Sequence, residues 1–138
     1  MAGNIRPSGD GYLVGSFEAA AAISRGQVLM FSDNGSVTPS TDARDQNPIG
    51  VALEDAASGE VVTVVRGYCL VLAAAALTVD NQRGAVIVAT GGKVGAAGDN
   101  TSTNRYIVGN ILADAAADGD LVPCFVSPYY DNVDHTPA

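Results

Sequence analysis

Apolar residues in this chain come in short runs. They lie at 11–17, 27–32, 49–53, 60–66, 68–72, 85–90, 106–112 and 120–126, are rich in Val, Ile, Leu and Tyr, and are bounded by Gly, Asn, Asp or Pro. Runs of that length and make-up read as β-strands. Asp33-Asn34-Gly35, between Phe31 and Val37, is a hairpin signal, because Asn-Gly tolerates positive φ at both central positions. Gly91-Gly92 before Lys93-Val94 does the same further on. Ala56-Ala57-Ser58-Gly59-Glu60 and Ala116-Ala117-Asp118-Gly119-Asp120 each turn the chain into the next run. The alanine runs, Ala19 to Ala22 and Ala73 to Ala76, predict one short helical turn each, since Ala has the best helix propensity. The expected class is all-β, with a compact barrel-like or sandwich-like body.

The pattern is said nearly twice. Gly11-Tyr12-Leu13-Val14 returns as Gly67-Tyr68-Cys69-Leu70, and Arg25-Gly26-Gln27-Val28 as Arg83-Gly84-Ala85-Val86. Ile49-Gly50, Leu53 and Asp55-Ala56-Ala57 return as Val108-Gly109, Leu112 and Asp114-Ala115-Ala116. Gly59-Glu60-Val61-Val62 returns as Gly119-Asp120-Leu121-Val122. Glycines, turn acids and small apolar residues carry the match, so backbone geometry is what is duplicated. The expected organisation is an extended arm over 1–10, a duplicated β domain over 11–126 with halves of about 11–66 and 67–126, and a tail over 127–138. Polar loops at 38–48 and 95–105 occupy matching places in the two halves.

Composition changes the picture in two ways. Only 16% of the 138 residues are charged while 47% are apolar, which favours an exterior with neutral or apolar surface and hence docking or self-association. The net charge of −8, with one Lys and with Arg at 6, 25, 44, 66, 83 and 105, excludes the clustered basic surface that nucleic acid or an anionic membrane requires. No run of 18 or more apolar residues is present, and no basic stretch precedes an apolar one at the start. Cys69 and Cys124 sit in apolar runs and read as buried free thiols.

Candidate chemistry is thin. The single His, His135, is near the C-terminus, far in sequence from any nucleophile it would have to activate. One His and two separated Cys do not make a zinc site. Asp114, Asp118 and Asp120 could face a hard cation, but the longer loop of such sites is missing, and acids in Gly-containing turns are ordinary. Gly91-Gly92-Lys93 lacks the earlier Gly and the following Ser or Thr of a phosphate loop. The expectation is a protein that is not an enzyme and has no catalytic, cofactor-binding or metal residues. Tyr129 and Tyr130 form an aromatic pair outside the duplicated body, suited to an interface because Tyr buries a large area and keeps a polar tip.

The series from Ile49 through Ala52-Leu53-Glu54-Asp55-Ala56-Ala57 to Thr63-Val64, followed by Gly67 and Ala73 to Ala76, resembles the capsid cement, or head decoration, proteins of tailed bacteriophages. Gly109 to Ala116 and Gly119 to Val122 are similar to the closing segment of that family. The likeness spans about residues 3–126, and the polar loops and Tyr-rich tail depart from it. The resemblance implies a β-barrel-like homo-oligomer, a trimer above all. It would be made in the host cytoplasm, would sit on the outer surface of the virion capsid and would bind the major capsid protein, with no cofactor. The arm residues Asn4, Ile5, Arg6 and Pro7, with Tyr129 and Tyr130, are then the expected capsid or inter-subunit contacts. The alternative is a β-rich carbohydrate- or receptor-binding module of a virion. No Trp and few other aromatics leave such a module a thin sugar platform.

Overall fold

The computed structural model describes residues 11–41, 46–79, 84–97 and 104–131. Its strands are β1 (Tyr12–Glu18), β2 (Val28–Phe31), β3 (Val37–Pro39), β4 (Gly50–Ala52), β5 (Val61–Leu72), β6 (Ala85–Thr90), β7 (Lys93–Ala96), β8 (Arg105–Ile111) and β9 (Leu121–Asp131). They join one sheet in the order β3-β2-β4-β5-β9-β8-β6-β7, with β1 also paired to β5. The all-β expectation holds, and no α-helix occurs among the described residues.

Both ends of the sheet curl back on the chain. Val37 of β3 forms a parallel bridge with Ala19, just beyond β1, and Val94 of β7 forms one with Ala73, just beyond β5. The alanine runs are therefore bridge sites and not the helical turns their propensity predicts. Ala19 N–H donates to Glu60 O and Ala20 N–H to Val37 O, while Ala73 N–H donates to Asp120 O and Ala74 N–H to Val94 O. Tertiary hydrogen bonds outweigh a preference worth under about 1 kcal/mol per residue. The hairpin signals behave as read, with φ of 66° at Asn34 and 77° at Gly35, then 55° at Gly91 and 75° at Gly92. Two short strands escaped the sequence reading, β3 and β7, because three or four residues carry little periodicity.

β5 is one strand where the sequence reads two. It passes through Gly67 at φ 85°, and its buried positions step from 62 and 64 to 65, 67, 69 and 71 just before that glycine. Val62 and Val64 point into one core with Ala19, Ile23, Leu29, Val37 and Ala52. Val65, Cys69 and Val71 lie in a second core with Val86, Val94, Ile111, Val122 and Cys124. β9 runs on to Asp131, so residues 127–131 of the expected tail are strand. Cys69 and Cys124 face each other across β5 and β9 as buried free thiols. Burial pushes the Cys69 thiol up to about 12 and raises Cys124 further, with Cys69 adding to the latter.

The seam between the two cores is made of backbone. Val28 N–H donates to Gly92 O at 2.8 Å, Gly92 N–H to Ser40 O at 2.6 Å and Leu72 N–H to Gly26 O at 2.9 Å. Ser40 is fully buried there, with its own N–H given to Val28 O.

Candidate interaction surface

Side chains directly opposite in an antiparallel ladder share a face. Tyr68 lies opposite Phe125, Leu70 opposite Pro123 and Leu72 opposite Leu121 across β5 and β9. Phe125 is also opposite Asn110, and Tyr130 is opposite Tyr106, across β8 and β9. The alternate residues Cys69, Val71, Val122 and Cys124 fill the second core, so this set lies on the outer side. It is apolar and aromatic. Tyr68 and Phe125 rings meet at 4.9 Å, and Tyr106 and Tyr130 at 5.0 Å. Leu112 joins it by giving its N–H to Pro123 O. Tyr68, Leu112, Leu121, Phe125 and Tyr130 remain exposed. Rigid aromatic groups of this kind dominate interface energetics when buried by a partner.

A second apolar stretch is β1. It has no buried side chain, and Leu13 is 65% exposed. A bulge at Val14, where the register steps from Leu13–Val65 to Gly15–Val64, puts Leu13 on the outer side of the sheet.

The acidic side chains are mostly committed to turns. Asp55 accepts from Arg25 N–H, Glu54 from Thr63 N–H and Glu60 from Ala57 N–H. Asp114 accepts from Val79 N–H, and Asp120 from Ala116 and Ala117 N–H. Asp118 pairs with Lys93 at 2.8 Å. The three aspartates weighed for a cation are thus each engaged by the protein itself. Among the described residues no group of His, Cys, Asp and Glu could hold a metal. Arg105 is buried, donates to Ala97 O and lies 3.4 Å through Nε from Asp131 Oδ2, an ion pair without hydrogen-bond geometry.

Of the site residues read from sequence, Tyr129 and Tyr130 lie on β9 opposite Ile107 and Tyr106, and both are exposed. Tyr130 packs its ring on Tyr106, beyond a register shift from the Phe125–Asn110 pair. Asn4, Ile5, Arg6 and Pro7, like His135, fall outside the described residues. Sequence reasoning missed Tyr68, Leu112, Leu121 and Phe125, which sit in apolar runs and read as core. The available signal was the comparison of positions matched between the two expected halves, where an aromatic Phe125 stands in place of a small Val65.

The fold and this surface define a curled β scaffold with an aromatic-rich outer face. Residues 7–67 match the family of phage cement proteins, as the resemblance at 49–64 anticipated, and the match supports a capsid cement role. The architecture is also that of a solved structure, the head fiber gp8.5 N base in bacteriophage phi29. It aligns at a TM-score of 0.64 with 18% identity over 82% of this chain and 92% of that one. No curated protein matches the chain.

Proposed function

We propose that this chain is a non-enzymatic cement protein that binds the major capsid protein on the outside of a phage head, as a homotrimer, and that its body is one β unit used twice. The family match over residues 7–67 carries the capsid role. The likeness of fold to the base of a phage head fibre is consistent with it. The matched contacts of the two segments support the duplicated unit. Ile23 N–H donates to Ala56 O as Leu77 N–H does to Ala115 O, and Gly59 N–H to Ala19 O as Gly119 N–H does to Ala73 O. Gly59 and Gly119 share a φ of 89°.

The test is co-sedimentation of the purified protein with expanded heads, with copy number counted per capsid subunit. Saturable binding at a fixed ratio is expected. Absence of the protein from the head fraction over the whole concentration range would refute the capsid role. In the same assay, deletion of residues 1–10 lowers occupancy if Asn4, Ile5, Arg6 and Pro7 supply the capsid contacts expected of them, and unchanged occupancy would remove that role.

A further inference from the structure

Equivalent positions of the two units have unequal fates. Val28, Val51 and Val65 neighbour Leu29, Ala52 and Val64, which fill the first core, so these three valines lie on the outer side of the first unit. They are nonetheless buried, as members of the second core. The ladders identify their counterparts, and move two of the sequence matches by one place, Val28 from Val86 to Ala85 and Leu13 from Cys69 to Tyr68. Val28 opposite Val51 corresponds to Ala85 opposite Asn110, and Leu13 opposite Val65 to Tyr68 opposite Phe125. Val65 is 2% exposed and Phe125 is 40% exposed. Leu53 packs against the second core, whereas its counterpart Leu112 is 46% exposed. The second unit covers the outer face of the first, and among the described residues nothing covers that of the second.

The receiving side is unequal in the opposite sense. Val88, opposite Val94, belongs to the core that receives the three valines and is 4% exposed. Its counterpart Phe31, opposite Val37, is 51% exposed and leans edge-on against Phe17. Beside it opens a cleft of about 320 Å³ lined by Met30, Phe31, Gln46, Asn47 and Ile49. The first unit therefore has an open mouth where the second is filled.

We propose that a second copy of this chain fills both places. The outer face of the second unit, centred on Phe125 and Leu112, seats in the Phe31 mouth of the next copy's first unit. The occupant is a second copy because the chain already makes this contact once, internally, between its own two units. No strand exchange is needed. β5 crosses into the second unit at Gly67, with φ 85°, whereas at the corresponding Ser127 φ is not positive and β9 continues along β8 to Asp131. The interface is head to tail, so it closes into a ring or extends as a filament according to the rotation per copy. With a net charge of −8 on each copy, added salt tightens it. The inference rests on the duplicated-unit reading of the body and does not depend on the capsid role.

The experiment is sedimentation equilibrium of the full chain with two variants, Phe125→Asp on the face and Phe31→Asp at the mouth. Leu112→Asp and Asn47→Arg are second choices if either fails to fold, with urea midpoints as the check. The wild type self-associates, and each variant alone is monomeric. Mixed one to one, the two form a dimer and nothing larger, because one good face meets one good mouth. A monomeric wild type, an oligomer that survives both substitutions, or a mixture that stays monomeric would each overturn the proposal. No capsid enters the measurement, so its outcome is separate from that of head binding.

Discussion

At the scale of the residue, the seam between the two cores turns on Gly92. A Cβ there would meet Gln27 Cβ at 3.0 Å, Val28 O at 3.0 Å and Pro39 Cβ at 3.2 Å, on a backbone at φ 75°. A Cβ on Gly91 would meet nothing within 4 Å. Gly92→Ala should cost about 2–4 kcal/mol and Gly91→Ala about 1 kcal/mol, as read by urea unfolding. The two thiols give a pH signature. Their folded pKa values lie above the ordinary 9.0, so the folded state keeps protons that the unfolded chain releases. That contribution is complete below pH 9 and is lost as pH rises towards 12, at about 1.4 kcal/mol per thiol per pH unit. Unfolding at pH 8 and pH 10 should show the loss, and Cys124→Val should reduce it. The turn glycines and the buried cysteines were legible in the sequence because φ and burial follow from residue type. Which tyrosines face outward was not, because the register shift at Val14 and the step from Val64 to Val65, both buried, break the simple alternation.

At the scale of the element, short pieces of chain are decided by what they pair with. Ala19 and Ala73 look helical alone and become bridges because Val37 and Val94 stand beside them. The long runs behind β5, β8 and β9 were readable, whereas β3 and β7 were visible only as the far sides of their turns. At the start of β8 the buried Arg105 pairs with Asp131 at the end of β9, which is partly exposed. Asp131→Asn leaves the guanidinium with Ala97 O as its acceptor and should destabilise the protein by about 1–2 kcal/mol, less than a fully buried pair because water screens Asp131. Amide exchange at Arg105 to Ile107 would rise with it. Leu53 and Leu112 provide an element-level control. Leu53→Asp, which puts a charge against the second core, should cost about 3 kcal/mol or more, whereas Leu112→Asp should stay within about 0.5 kcal/mol for the isolated chain.

At the scale of the whole molecule, the candidate site was only half legible. The sequence directed attention to the ends, and Tyr130 does join the exposed face. The centre of that face, Phe125 with Tyr68 and Leu112, was hidden because an apolar run on a strand looks the same whether its cover is its own core or another molecule. β5 passes without a break from one core to the other. Scanning calorimetry should therefore give a single transition with matching calorimetric and van't Hoff enthalpies, and not two. A protein loaded sideways would transmit that tension along the covalent backbone of β5 and across its ladders in shear, from one core straight into the other.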